Sequence, residues 1–343
     1  MYQGFYRLND HPFRLTPDPA YICLTAQHRE ALSGLLYSVR TRLGLTVLIG
    51  EAGTGKTTLL RTLTDLYEGK NFVLARCNNP TLTREEFYDL LLTDLGVECP
   101  SPLKSRQLKA LQDALIKFRD AGKSAILIVD EAQKLPLELL EEIRLLLNLE
   151  TPREKLLQII MAGQPELGNI IGRPELRQLK QRVSAIFRLE PLSVEELSEY
   201  VQHRLGRAGI PEQKLFAPEL IGLIHRYTQG IPRLINSLCD AALQTGFALQ
   251  SPSITASIIR EAAGDLELSN PDDKRAKEEF SSEGHSKVIP MPVAGPEAQL
   301  IHVHPQSALS DNSSVDDPRI PLESYASRQK SMGFFGQLLD RWK

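Results

Sequence analysis

The chain is short of the features that mark several large functional classes. Its 343 residues hold four cysteines, Cys23, Cys77, Cys99 and Cys239, and no two of them stand at a paired spacing. That excludes a disulfide framework or a zinc finger and suits a reducing compartment. No apolar run approaches the roughly 20 residues of a membrane-spanning helix. The first residues, Met1-Tyr2-Gln3-Gly4-Phe5-Tyr6-Arg7, lack a secretory apolar core, so the expected location is the cytoplasm. The net charge is only −3, which argues against a strongly basic nucleic-acid coat while leaving room for a local basic stripe. No internal repeat is visible.

What is present is a complete phosphate-binding loop, Gly50-Glu51-Ala52-Gly53-Thr54-Gly55-Lys56-Thr57, with Thr58 following. Leu45 to Ile49, apolar and partly β-branched, predicts a buried strand before it. Thr58 to Leu63 predicts a helix after it. A strand tip turning into a helix N-terminus aims backbone N–H groups and the helix dipole at anionic oxygens. Lys56 is expected to reach the β- and γ-phosphates of ATP, and the Thr57 hydroxyl to ligate Mg²⁺. The competing reading is a Gly-rich strand–helix turn without ligand.

A second element strengthens the nucleotide reading. Ala125 to Val129 predicts another buried parallel strand, ending in Asp130-Glu131. Asp130 is expected on the metal side and Glu131 as the base that deprotonates the attacking water. Alone, Asp-Glu would merely open a loop.

Residues 1–27, with Pro12-Phe13, Pro17-Asp18-Pro19 and Tyr21, predict an ordered, extended arm rather than a helix. Ala31, Leu32, Leu35, Leu36 and Val39 mark a helix ahead of the first strand. Further strands are expected at Phe72–Cys77, Leu156–Ala162 and Ala185–Leu189, with helices between them. Thr83-Arg84-Glu85-Glu86 and Ser193-Val194-Glu195-Glu196 read as capping boxes. Alternating strands and helices over 28–191 imply an α/β domain with a parallel sheet covered on both faces. From 192 to 267 only helices are expected, with starts at Pro218 and Pro232 and an end at Gly230. Residues 268–330 lose periodicity and read as a disordered linker. In 331–343, Phe334, Phe335, Leu338, Leu339 and Trp342 share one helical face, which suits docking on a partner, on the chain's own core or on a membrane surface.

The order of Pro12-Phe13-Arg14-Leu15-Thr16-Pro17-Asp18-Pro19, the Gly50–Thr57 loop, Val129-Asp130-Glu131-Ala132-Gln133, Ala162-Gly163-Gln164-Pro165-Glu166-Leu167 and Gly230-Ile231-Pro232-Arg233-Leu234-Ile235-Asn236 resembles AAA+ ATPases of the ExeA/GspA type. Relatives of that type include exosortase-associated ATPases and transposition regulators of the TniB/TnsC kind. The resemblance covers roughly residues 1–265. It implies a five-stranded sheet of order 5-1-4-3-2, a helical lid, and an oligomer, either ring or filament, with ATP sites between subunits.

By position, the resemblance also implies site residues. Gln164 is the expected polar sensor of the γ-phosphate, against a turn-forming residue as the alternative. Arg233, inside a lid helix N-terminus, is the expected second sensor, against a solvated arginine. Arg182, then Arg177, is the candidate for an arginine finger acting on a neighbouring subunit. Asn78 or Asn79 would restrain Glu131, unless Asn-Asn-Pro is simply a turn. Phe13 and Leu15 would line the adenine pocket or serve ordinary packing.

The implied function is an ATP-hydrolysing switch that assembles or remodels a secretion, envelope or polysaccharide-export complex, in contact with protein partners. Through 331–343 it also has a peripheral contact with the inner membrane open to it. The alternative is a DNA-associated regulator of the transposition type, with Arg173–Arg182 on phosphates. A kinase lacks an evident acceptor site, and a non-catalytic scaffold sits badly with an intact Glu131.

Overall fold

Five short apolar runs become strands: β1 Leu45–Gly50, β2 Phe72–Cys77, β3 Ser124–Val129, β4 Leu157–Gly163 and β5 Val183–Leu189. In the computed structural model, which describes residues 1–16, 21–67, 71–78, 81–99, 101–209 and 215–269, they form one sheet. Its order is β2-β3-β4-β1-β5 and every pairing is parallel. This is the expected order read from the other edge.

The side-chain period of two, with both faces covered, explains why the central strands β1 and β4 are buried without a break. Val47, Leu127 and Met161 point to one face, and Leu48, Ile128 and Ala162 to the other. The first face is covered by α4 Arg84–Asp94, α5 Lys104–Asp120, α6 Leu137–Leu146 and α7 Pro165–Ile171. The second face carries α2 Ala26–Arg40 and α3 Lys56–Tyr67. On the edge strand β5, exposure alternates and Ile186 is open to solvent.

Both expected capping boxes form. Thr83 Oγ1 accepts the Glu86 N–H at 3.2 Å while Glu86 Oε2 accepts the Thr83 N–H at 2.7 Å. Ser193 and Glu196 do the same at 3.2 and 3.1 Å. Between β4 and β5 lies the four-residue helix α8 Arg177–Lys180. Beyond β5 come α9 Val194–Arg207, α10 Pro218–Thr228, α11 Pro232–Ala248 and α12 Ala256–Asp265. Proline opens α10 and α11, where a missing N–H leaves no hydrogen bond unmade.

The N-terminal residues depart from expectation. Tyr2–Tyr6 is a helix, α1, rather than extended chain. Its own sequence signal is weak, but Tyr2 and Tyr6 lie one turn apart and both bury against the late helices. The Tyr2 hydroxyl donates to Asp240 in α11, and the Tyr6 hydroxyl to the Ser251 carbonyl at 3.1 Å. Arg7, at φ +58°, ends the helix, with the Leu8 N–H returning to the Gln3 carbonyl at 2.8 Å. Tyr2, Tyr6, Leu8, Phe13 and Tyr21 thus share a core with α9 to α12. The sequence-based assignments within 270–343 lie outside the described residues.

Candidate nucleotide site

The phosphate loop leaves β1 at Gly50 and enters α3 at Lys56. Local bonds fix its course: Thr54 Oγ1 donates to the Glu51 carbonyl at 2.9 Å, and the Leu59 N–H to the Gly55 carbonyl at 2.8 Å. Lys56 is 5% exposed, and its Nζ donates to the Gly50 and Glu51 carbonyls at 2.6 and 2.9 Å. Burial pulls the Lys56 ammonium below its ordinary range, against the opposing pull of the Glu131 and Asp130 carboxylates.

Across the loop, Asp130 is buried at the tip of β3. Its Oδ2 accepts from Thr57 Oγ1 at 2.7 Å, and its Oδ1 from the Glu131 N–H at 2.9 Å. A hydroxyl and a carboxylate side by side form a hard-oxygen pair of the kind that suits Mg²⁺, which keeps water and substrate oxygens as its remaining ligands. Among the described residues, no cluster of three or more His, Cys, Asp or Glu side chains offers an all-protein metal cage.

A cavity of about 430 Å³ opens over the loop. Residues 52–59 line it, with Glu131, Leu15 and Tyr21, and Tyr200, Arg204 and Arg233 from the late helices. Arg233 stands at the second position of α11, and its N–H reaches the Gly53 carbonyl at 3.3 Å. The approach is close. Gly53 has φ +87°, and a Cβ there would come within 2.8 Å of Arg233 Cβ.

The other expected residues divide. Gln164 caps α7 at the tip of β4 but does not line the cavity. Arg177 opens α8 and is exposed, while Arg182 is half-buried just ahead of β5; neither faces the cavity of its own chain. Leu15 does line it, whereas Phe13 is fully buried against Phe216, so its place is in the helical core. The Glu131 carboxylate accepts from Gln133 Nε2 at 3.0 Å and pairs with Lys134 Nζ at 3.2 Å. Asn78 lines a neighbouring cavity with Thr57 and Asp130, and Asn79 lies outside the described residues.

Two site residues go unmarked by sequence reasoning. His28, in α2, sits beneath the loop, with Nε2 2.9 Å from the Thr54 carbonyl and Nδ1 2.8 Å from Thr25 Oγ1. Gln133 joins Glu131 to the tip of β4, where its Oε1 accepts the Gln164 N–H at 3.2 Å. His28 carries no local signal for a place beneath the loop, since the Thr54 carbonyl it reaches is 26 residues away. The Asp130–Gln133 stretch marks the position of Gln133 but not its reach.

Residues 39–171 match a family described as an AAA domain. Over 268 residues the chain is 41% identical to General secretion pathway protein A of Aeromonas hydrophila, covering 77% of this chain and 48% of that protein. The chain thus spans about half the length of that relative. Among solved structures it is similar to Drosophila ORC bound to DNA, with a TM-score of 0.57, 19% identity, and 83% and 69% of the two chains covered. It is also similar to Cdc6p from Pyrobaculum aerophilum, with a TM-score of 0.56, 19% identity, and 76% and 71% covered. The Aeropyrum pernix ORC2 protein in ADPNP-ADP complexes gives 0.55, 17%, and 75% and 71%. At these identities the solved structures speak for the fold alone.

Proposed function

The chain is an AAA+ protein of the type represented by General secretion pathway protein A, and from that premise we propose that it binds ATP with Mg²⁺ and hydrolyses it as an oligomeric switch. The observation that carries the reading is the meeting of Thr57 and Asp130 at 2.7 Å beside buried Lys56, with Glu131 lining the same cavity. Lys56 supplies a fixed positive charge to the terminal phosphates, and Thr57 and Asp130 hold Mg²⁺. When bound, the metal offsets charge that develops on the phosphate oxygens. Glu131 takes a proton from water as its oxygen attacks the γ-phosphorus, and the bond to the departing ADP oxygen breaks. Gln164 answers to the terminal phosphate, and Arg233 brings the late helices to it. Arg182, or Arg177, serves a neighbouring copy in a ring or filament, because neither reaches its own cavity.

The similarity to General secretion pathway protein A supports a task in secretion, which we take to be the assembly or remodelling of an envelope or export complex with protein partners. The same reading puts the chain in the cytoplasm, in peripheral contact with the inner membrane; fractionation of cells tests it. No described helix is long and apolar enough to cross a membrane. A DNA-associated role is the second reading, supported by the exposed Arg173, Arg177 and Lys180. Steeply salt-dependent DNA binding by the purified protein would favour it.

The deciding experiment pairs two variants. Lys56→Ala is expected to abolish ATP binding, and Glu131→Gln to keep binding while stopping turnover. A protein that neither binds nor hydrolyses ATP, with or without lipid, DNA or partner, sinks the proposal.

A further inference from the structure

This inference rests on the reading of Glu131 as the group that activates water. Gln133 lies two residues further on, within the 3-10 turn Ala132–Lys134. Its amide faces two groups of opposite hydrogen-bond character. Nε2 donates to Glu131 Oε2 at 3.0 Å, and Oε1 accepts the Gln164 N–H at 3.2 Å. An ionised carboxylate only accepts and a backbone N–H only donates, so these neighbours dictate which end of the amide points where.

The fit is tight. A Cβ on Gly163, the last residue of β4, would stand 2.7 Å from Gln133 Oε1. The bare backbone at that position is what lets the amide reach the strand tip. Glu131 itself sits at φ +52°, in the left-handed region, which sets the direction in which its side chain leaves β3. Lys134 also touches the carboxylate, at 3.2 Å, but its side chain is 57% exposed. Water screens such a pair and leaves its geometry loose. Gln133 is the partner with a defined geometry at both ends.

The geometry points to Gln133 as the positioning residue that sets the Glu131 carboxylate relative to the tip of β4. Gln164 begins there, so a displacement of the strand tip reaches the carboxylate through one side chain. The Gln133 amide therefore couples the sensing of the terminal phosphate to the alignment of the base.

The test uses the full chain with Gln133→Leu, which neither donates nor accepts, and Gln133→Glu, which keeps an acceptor for the Gln164 N–H but opposes two carboxylates. Wild type and Glu131→Gln frame the scale. Both Gln133 variants are expected to bind ATP with wild-type affinity and to melt at the wild-type temperature, while kcat falls about tenfold or more. Unchanged kcat in Gln133→Leu would overturn the assignment. So would a fall in kcat matched by equal losses of ATP affinity and melting temperature, which marks a merely structural role. A wild-type protein without turnover overturns the reading of Glu131 and this inference with it; an active wild type with unaffected variants overturns this inference alone.

Discussion

Replacing His28 by leucine tests whether the phosphate loop is held from below. The Thr54 carbonyl can only accept, so His28 Nε2 carries the proton and Nδ1 accepts from the Thr25 hydroxyl. His28 is 6% exposed and Thr54 1%, so water cannot take over the lost contact. A buried acceptor left without a donor costs about 1–3 kcal/mol. The Thr25 hydroxyl can turn to another acceptor and adds less, and leucine fills most of the vacated volume. His28→Leu is therefore expected to lower unfolding stability by about 1–3 kcal/mol in urea titrations. It should also weaken ATP binding, because a loop populated less often in its binding form binds in proportion to that fraction. His28→Gln, which keeps an N–H donor, should recover part of both losses. Acidity gives a second readout. Burial holds the His28 imidazole below its ordinary pKa, so the unfolded chain takes up a proton that the folded chain refuses. This contribution to stability is complete above about pH 6.5 and is lost as pH falls toward the depressed folded value. His28→Leu should flatten that part of the stability–pH curve. A leucine variant with wild-type stability, ATP affinity and acid slope would refute the reasoning.

Three further outcomes are expected. Gly53→Ala places a methyl 2.8 Å from Arg233 Cβ at a φ of +87°, so ATP affinity measured with a fluorescent nucleotide should fall by tenfold or so for about 1.4 kcal/mol of strain; unchanged affinity would count against Arg233 closing on the loop. Arg182→Ala should lose up to about 10³–10⁵ in turnover if it serves a neighbouring copy, and mixing it with Glu131→Gln subunits should restore some activity; a strictly monomeric active enzyme would contradict this. Glu142, 4% exposed at its side chain, accepts from Tyr88 at 2.8 Å, Lys104 at 2.7 Å and Arg84 at 3.0 Å. In Glu142→Leu the two cations, each more than a third exposed, return to water while the buried Tyr88 hydroxyl loses its acceptor, so about 1–3 kcal/mol should disappear from urea unfolding, and less in Glu142→Gln.

The strands and the phosphate loop are legible in the sequence because their signals are local. Leu45–Ile49 and Ala125–Val129 are largely apolar over a strand's length, and the loop's glycines and Lys56 fall within seven consecutive residues. The lid helices are legible for the same reason, through Pro218, Pro232 and the Ser193–Glu196 box. What escapes is whatever depends on contacts made across the chain. Tyr2–Tyr6 is helical because α11 offers Asp240 and an apolar face, and Phe13 is taken up by Phe216. His28 and Gln133 matter through Thr54 and Gln164, 26 and 31 residues away. On position alone Asn78 is a candidate restraint for Glu131; the contacts that Gln133 and Lys134 make with its carboxylate show only in the structure.

The late helices meet the sheet layer by two separate stretches of chain. One is the short passage from β5 into α9, where the Leu192 N–H is bonded to the Gly230 carbonyl at 2.8 Å. The other is the N-terminal stretch, pinned to α9 by Arg204 Nη1 on the Pro12 carbonyl at 2.7 Å and by the Asn9 N–H on the Ala208 carbonyl at 2.8 Å, before it continues into α2. A body attached at one point can swing anywhere within a cone. Attached at two, it turns about the line that joins them, like a door on a pair of hinges. The nucleotide cavity lies between those attachments, bounded by Tyr21 on one side and Arg233 on the other. A turn of the late helices about that line would carry Arg233 away from the Gly53 carbonyl, which its N–H now meets at 3.3 Å, while His28 in α2 keeps its bond to the Thr54 carbonyl.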